Sequence, residues 1–316
     1  MGETARSAAE QARDVVITRV LDAPRSLVFK VWTEPGHIVR WWGPKGFTSP
    51  YARVDLQPGG RYLFCMRSPE GRDFWSTGVF REVAAPERLA FTGAYADEHG
   101  SPVHPSYYGF DGEWPDELLI VVTFEDDGEG TRVTVRHSGL PADHIAPAAT
   151  GWSESLDKLA DAVATADRVM TFARMLDAPR DLVFDAWTRP EHVAQWWGPD
   201  GFTTTTEHMD VRPGGHWRFV MHGPDGTDYR NHIVFLKVAR PERLVYKHVP
   251  EPGSEPVSFE VTVRFTARGD RTHVTMQSLF PSAAALEHVV KHYRADEGAR
   301  QTLGRLAGHL ASLRGA

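Results

Sequence analysis

Histidine has the widest chemical range of the side chains in this sequence, because an imidazole can bind a metal ion or move a proton near neutral pH. The 316-residue chain contains 15 histidines, of which His288 and His292 stand four positions apart on a predicted helix. This spacing can place two imidazoles on one metal ion. No third ligand and no zinc-protease glutamate accompanies them, so we interpret them as a surface pair and predict neither a metal site nor a cofactor.

A second group of histidines falls in the predicted strands of the second half of the chain. These are His216, His222, His232 and His248, and the first half has Arg61, Arg67, Thr77 and Gly93 at the matching positions. If the protein carries an acid–base group, His232 or His248 is the candidate. The sequence has no nucleophile elbow, no phosphate-binding loop and no dinucleotide fingerprint. We therefore favour a binding function over an enzymatic one.

Aromatic and methionine side chains alternate with other residues along two predicted strands in each half, so they share one face of a sheet. This face could line a pocket for a flat or apolar ligand, because such side chains offer a large and adaptable contact area. It could also be an ordinary core under a helix. With nearby aromatic residues included, the candidate ligand-binding residues are Trp42, Tyr62, Phe64, Met66, Phe74, Phe80, Tyr108, Trp152, Trp197, Trp217, Phe219, Met221, Tyr229 and Phe235.

Two adjacent tryptophans close a short predicted helix in each half, at positions 41–42 and 196–197. Neighbouring helical residues face different directions, so one of each pair should lie in the core while the other could border a cavity. The polar and aromatic segment 95–115 carries most of the extra length of the first half. It could act as a lid over a cavity, or it could be a disordered excursion.

The elements that position these residues occur twice. Residues 21–89 align without a gap with residues 176–244, and 36 of the 69 positions are identical. Repetition at a period of 155 residues indicates duplicated whole domains, because solenoid units run about 20–50 residues. We expect a flexible N-terminus over residues 1–14, one domain over 15–166 and a second over 167–316, each large enough to bury its own core.

Composition excludes several classes of function. The net charge is −7 with acidic and basic residues interspersed, which argues against nucleic acid as a partner. Cys65 is the sole cysteine, so we expect a core residue and neither an internal disulfide nor a cysteine-based metal site. No run approaches the about 18 apolar residues that cross a bilayer. We expect a soluble, cytoplasmic protein without membrane insertion.

The pattern of each half predicts one strand, two short helices, six strands and a long amphipathic helix. A curved antiparallel sheet wrapped around its last helix is an α+β helix-grip fold, so we predict two such domains in tandem, each with about seven strands. A sheet that curves around one helix leaves a space between its concave face and that helix. Concave apolar spaces with a few polar groups are the usual small-molecule sites.

A string of short motifs accompanies this pattern. It comprises Trp-Thr-x-Pro from Trp32, Trp-Trp-Gly-Pro from Trp41, Gly46-Phe47, Asp55 with Pro58-Gly59-Gly60, Pro86-Glu-Arg-Leu, and Gly151-Trp152 with Leu156 and Leu159. The string resembles the START/Bet v-like (SRPBCC) superfamily, and within it the branch named after the activator of the heat-shock protein 90 ATPase. The second half departs from the pattern at Ala299, where the tryptophan expected after Gly298 is missing, so the resemblance does not imply that the two cavities are equivalent.

The resemblance implies a function in binding hydrophobic molecules. Characterised superfamily members bind lipids, sterols or polyketides, and some serve natural-product pathways as carriers, cyclases or self-resistance proteins. We therefore predict that each domain binds a hydrophobic, polycyclic or polyketide-like small molecule, in natural-product biosynthesis or self-resistance. The alternatives are a cyclase or hydrolase acting on such a ligand, and a protein-interaction module that regulates a chaperone, which we favour less.

Overall fold

The computed structural model of the protein describes residues 14–115, 117–251 and 258–314. The chain divides into two compact units between Ala166 and Asp167, which we call domain 1 and domain 2. Of the predicted flexible N-terminus, residues 1–13 lie outside the described residues. Within the described ranges, no helix combines the length and apolar character needed to cross a bilayer.

Domain 1 contains a seven-stranded antiparallel sheet, two short helices and one long helix, in the order that the sequence predicts. Its elements are β1 (Val15–Leu21), α1 (Arg25–Thr33), α2 (Pro35–Trp41), β2 (Thr48–Val54), β3 (Arg61–Arg67), β4 (Asp73–Ala84), β5 (Arg88–Ala96), β6 (Leu118–Asp127), β7 (Gly130–Ser138) and α3 (Ala142–Val163). A short 3₁₀ helix, Pro105–Tyr108, lies between β5 and β6.

Domain 2 repeats this plan after a 3₁₀ turn, Ala166–Arg168. Its elements are β8 (Val169–Leu176), α4 (Arg180–Thr188), α5 (Pro190–Trp196), β9 (Thr203–Met209), β10 (His216–His222), β11 (Asp228–Ala239), β12 (Arg243–Val249), β13 (Phe259–Arg268), β14 (Arg271–Leu279), α6 (Ala283–Tyr293) and α7 (Ala295–Arg314). Its last helical part is in two pieces because Arg294, with a φ of 49°, ends α6 in the left-handed conformation.

The two sheets have the same strand order, β1-β7-β6-β5-β4-β3-β2 and β8-β14-β13-β12-β11-β10-β9. Side chains alternate between the faces of each strand, so in β7 Val133 and Val135 are buried while Arg132 and Arg136 are exposed. The buried face wraps the last helix of each domain and forms one hydrophobic core with it. The predicted class, two tandem α+β helix-grip domains, is confirmed.

One buried hydrogen bond repeats in both domains and ties the last strand to the turn before the first helix. Thr131 Oγ1 donates to the carbonyl of Ala23 at 2.7 Å, and Thr272 Oγ1 donates to that of Ala178 at 2.7 Å. All four residues are buried. A buried polar group is costly unless it is hydrogen-bonded, so the pairing stabilises the corner of each sheet.

The outer face of the sheet is only partly exposed in domain 1. Leu63, Cys65 and Trp75 form a small buried cluster there, with Tyr51 and Ala96 at its edge. The segment after β5 covers this cluster. Its Tyr108 hydroxyl accepts a hydrogen bond from the backbone N–H of Trp75 at 3.0 Å and donates one to the Ala96 carbonyl at 2.7 Å. The prediction that Cys65 is a core residue is confirmed.

Candidate functional site

Each domain has a cavity between the concave face of its sheet and its last helix. The volume is about 470 Å³ in domain 1 and about 790 Å³ in domain 2, and we call these spaces cavity 1 and cavity 2. Aromatic and aliphatic side chains supply most of both walls. Both volumes fall within the range of about 300–1,000 Å³ that is usual for small-molecule sites.

The paired tryptophans divide between core and cavity in both domains. Trp41 and Trp196 are fully buried, and their indole N–H groups donate to carbonyls of the preceding helix at 3.1 and 2.9 Å. Trp42 and Trp197 line cavity 1 and cavity 2. The division arises because the second helix of each domain ends at the first tryptophan of the pair, and the chain then turns at a glycine with positive φ, Gly43 in domain 1.

A cation on the last helix holds the loop that follows each cavity-lining tryptophan. Lys158 Nζ donates to the carbonyls of Gly43 at 2.8 Å and Phe47 at 3.0 Å. Arg305 donates to two carbonyls of the matching loop in domain 2, at 2.9 and 2.7 Å. Burial lowers the pKa of Lys158 to about 8. Because both domains place a cation here, the contact belongs to the shared architecture rather than to one ligand.

Five of the eight ligand-binding residues predicted in domain 1 line cavity 1, namely Trp42, Tyr62, Met66, Phe74 and Trp152. The other three lie elsewhere. Phe64 and Phe80 pack in the core around the Tyr62 ring, with centroids 4.5 and 6.0 Å away, and Tyr108 is held by its hydroxyl near the start of β4. Strand alternation predicts which face is buried, but it does not predict which part of that face is hollow.

Three of the six residues predicted in domain 2 line cavity 2, namely Trp197, Met221 and Tyr229. Trp217, Phe219 and Phe235 are instead core residues with almost no exposed surface. The rings of Trp217 and Phe219 stack on each other with centroids 4.1 Å apart. These side chains fill the space beneath the helices, so they are not available to a ligand.

His248 lies in the wall of cavity 2, where domain 1 has Gly93. Its ring stacks on Phe259 at a centroid distance of 4.4 Å. Among the described residues, neither ring nitrogen of His248 has a hydrogen-bond partner. Burial lowers the pKa of His248 to about 4, so the imidazole is neutral at pH 7. It can therefore offer one donor and one acceptor to a ligand.

His232 also borders cavity 2, but both of its ring nitrogens are engaged. Nδ1 lies 2.9 Å from a carboxylate oxygen of Glu251, and Nε2 lies 2.8 Å from Nδ1 of His216. Burial, followed by the charge of Arg218, lowers the pKa of His232. Of the two histidines that the sequence nominates, the structure favours His248 as the one that can meet a ligand.

The predicted surface pair of histidines lies on α6. The rings of His288 and His292 are 4.4 Å apart. Across the described ranges, no group of three or more histidine, cysteine, aspartate or glutamate side chains is arranged to hold a metal ion.

The segment 95–115 folds back onto domain 1. Tyr95 at its start stacks on Phe110 at 5.1 Å and meets Trp114 edge-to-face at 5.9 Å. Trp114 in turn contacts His144 of α3 at 4.4 Å. All four residues line cavity 1, which favours the lid interpretation over a disordered excursion. Phe110 and Trp114 of the lid line the cavity, whereas Tyr108, which the sequence nominates as ligand-binding, anchors the lid.

Two further residues line cavity 1, His137 and Ser76, which the sequence pattern did not nominate. His137 follows two buried valines on the inner face of β7, so period-two alternation could have placed it there. Its Nδ1 accepts a hydrogen bond of 3.1 Å from Trp152 Nε1. In the part of the chain that the structure describes, Trp42 Nε1, Ser76 Oγ and His137 Nε2 are buried without a hydrogen-bond partner. Each such group costs about 1–3 kcal/mol, which a polar atom of a ligand could recover.

Comparison with known proteins identifies one family. The family model of Activator of Hsp90 ATPase homolog 1-like protein matches residues 22–164 and, a second time, residues 177–311. No curated protein matches the chain.

Similar solved structures include single-domain and two-domain proteins. A protein from Arthrobacter aurescens is 24% identical over 47% of this chain and 88% of its own, with a TM-score of 0.44. Protein NE0264 from Nitrosomonas europaea is 26% identical over 48% of this chain and 95% of its own, with a TM-score of 0.40. The di-domain ARO/CYC StfQ from the steffimycin biosynthetic pathway is 14% identical over 95% of this chain and 99% of its own, with a TM-score of 0.42.

Proposed function

This chain belongs to the Activator of Hsp90 ATPase homolog 1-like family, and from that premise we propose that each of its two domains binds a hydrophobic, polycyclic or polyketide-like small molecule between its sheet and its last helix. The role that fits such binding is carriage or sequestration of the molecule, in natural-product biosynthesis or self-resistance. The observation that carries the proposal is the pair of aromatic-lined cavities, of about 470 and 790 Å³.

The chemistry of the walls supports a flat aromatic ligand. Cavity 1 presents the faces and edges of Trp42, Phe74, Phe110 and Trp114, and aromatic groups gain about 0.5–1.5 kcal/mol per well-placed ring contact beyond simple burial. Met66 lies among these rings and can adapt to the shape of a ligand because its thioether is flexible and polarisable.

A few polar groups interrupt both walls. Cavity 1 has the hydroxyl of Ser76 and the indole N–H of Trp42, and cavity 2 has the neutral imidazole of His248. A mostly apolar wall with a small number of polar groups is the usual composition of a site that orients one small molecule. The expected ligand is therefore hydrophobic but carries oxygen or nitrogen atoms, as a polyketide-derived ring system does.

The experiment is a thermal-unfolding screen of the full-length protein against polycyclic aromatic ketones, quinones, sterols and fatty acids. A ligand present at about 100 times its Kd stabilises the folded state by about 2.7 kcal/mol, which raises Tm by roughly 5–10 °C for a domain of this size. Trp42→Ala and Trp197→Ala should weaken binding in domain 1 and domain 2, because each removes a wall residue. Absence of any shift across the whole panel would refute the proposal.

A cyclase or hydrolase acting on such a ligand is the second candidate, because His248 brings into cavity 2 an imidazole that has no hydrogen-bond partner among the described residues. Its lowered pKa, about 4, makes it a poor proton acceptor at pH 7, which is why binding ranks first. Conversion of a bound ligand that disappears in His248→Phe would establish the enzyme, whereas recovery of the ligand unchanged after long incubation would exclude turnover of that compound.

A further inference from the structure

Two matched positions differ between the cavities. The first is in the last strand of each sheet, where domain 1 has His137 and domain 2 has Ser278 in the same register. The second directly follows a glycine of the last helix, where domain 1 has Trp152 and domain 2 has Ala299. All four residues line their cavity. At both positions the larger side chain belongs to the domain with the smaller cavity.

In domain 1 the two large side chains are joined to each other. Trp152 Nε1 donates to His137 Nδ1 at 3.1 Å. An indole nitrogen is only a donor, so Nδ1 must be the accepting nitrogen, and a neutral imidazole then carries its proton on Nε2. Burial lowers the pKa of His137 to about 4, so the ring stays in this form at neutral pH. The hydrogen bond thus links the sheet to the helix across one side of cavity 1.

Neighbouring rings hold the Trp152 indole in place. It stacks almost parallel to Trp32, with 9° between the planes and centroids 6.3 Å apart. It meets Trp42 edge-to-face at 5.6 Å. A side chain bounded by two rings and a hydrogen bond has little rotamer freedom, so it acts as a fixed partition rather than as a movable gate.

Domain 2 lacks this partition. Ala299 and Ser278 leave the corresponding space open, and cavity 2 continues from them to Val289 and Tyr293 of α6. The result is a volume of about 790 Å³, against about 470 Å³ in domain 1. The difference follows from side chains at matched positions, together with the break between α6 and α7.

We infer that the His137–Trp152 pair is a size filter, so that the two domains bind ligands of different length. Domain 1 accepts a short planar aromatic molecule and excludes a longer one that would have to pass the partition, whereas domain 2 accepts the longer molecule. This inference rests on the proposed function, because it names the ligand class of the same two cavities.

The test uses two quinones of the same chemistry and different length, naphthoquinone with two fused rings and naphthacenequinone with four. Quenching of tryptophan fluorescence in the full-length chain, at protein concentrations above Kd, counts the molecules bound. The unaltered chain should bind one naphthacenequinone. The variant Ser278→His with Ala299→Trp, which builds the partition into domain 2, should bind none and should still bind naphthoquinone. The variant His137→Ser with Trp152→Ala should bind two naphthacenequinones.

The outcomes separate the inference from the proposal on which it rests. If neither quinone binds to the unaltered chain, the proposed binding of polycyclic ligands fails and the inference fails with it. If both quinones bind but the number of naphthacenequinone molecules does not change in the Ser278→His, Ala299→Trp variant, only the size filter is wrong. The His137→Ser, Trp152→Ala variant loses side-chain volume from domain 1, so circular dichroism checks that it is folded. If it does not fold, the closing variant decides the result.

Discussion

Replacement of His248 by phenylalanine tests whether the imidazole in cavity 2 is neutral in the folded protein. The His248 ring lies nearly parallel to the Phe259 ring, at 15° and 4.4 Å, so a phenylalanine ring can occupy the same space. Burial lowers the pKa of His248 from its ordinary value of 6.5 to about 4. The variant removes this titration while it preserves the shape of the wall.

The size of the effect follows from the two pKa values. Above pH 6.5 the imidazole is neutral in both the folded and the unfolded chain. Between pH 6.5 and pH 4 the unfolded chain binds a proton and the folded chain does not, so stability is lost as the pH falls through this window. The loss between pH 8 and pH 5 is about 2 kcal/mol. His248→Phe should therefore make the acid-induced loss of stability in domain 2 smaller by about 2 kcal/mol.

Urea unfolding at pH 8 and at pH 5 measures this difference. The matched control is Met276→Ala, which disturbs the same wall on another strand, leaves the Phe259 ring on His248 and should cost the same at both pH values. The control also identifies which unfolding transition belongs to domain 2. If His248→Phe and the unaltered chain lose the same stability between pH 8 and pH 5, then the folded protein does not keep His248 neutral at pH 5 and the reasoning is refuted.

Three further predictions concern the loop-holding cations, the lid and the outer cluster of domain 1. Lys158→Met should lower the unfolding free energy of domain 1 by about 1.5–3 kcal/mol, and Arg305→Met should lower the unfolding free energy of domain 2 by a similar amount, because each variant loses charged hydrogen bonds to loop carbonyls. Urea unfolding measures both, and Lys158→Arg is the control that should retain most of the stability. Trp114→Ala should speed the release of a polycyclic probe from domain 1 in stopped-flow fluorescence, and an unchanged rate would contradict a lid. Cys65 is fully buried, so a thiol reagent should modify it only after unfolding, and immediate modification of the native protein would show that the outer cluster is open.

Much of the fold is predictable because its signals are local. Alternation with a period of two marks β3 and β4, and the motif around the paired tryptophans recurs 155 residues later. The alternation and the motif itself each involve residues within one or two turns or strands of each other. The repeat then tests every assignment twice, since a strand or helix predicted in one half must also fit the other.

The candidate site was harder to predict, for a reason that Phe64 and Met66 illustrate. Both point to the same face of β3, yet Phe64 packs in the core and Met66 lines cavity 1. Which part of a concave face stays hollow depends on how the helix and the distant segment 95–115 fill the space above it. The position of the cavity is set by contacts between side chains far apart in sequence, so no local pattern predicts it.

By itself, then, the sequence determined the duplication, the strand and helix order and the buried face of each sheet, because short-range periodicity and turn residues specify these. Only the tertiary structure decided that His137 and Trp152 meet as a hydrogen-bonded partition and that His248 faces a cavity where domain 1 has Gly93. The physical reason is that cavity volume and pKa depend on packing and desolvation, which arise only when separate elements of the chain come together.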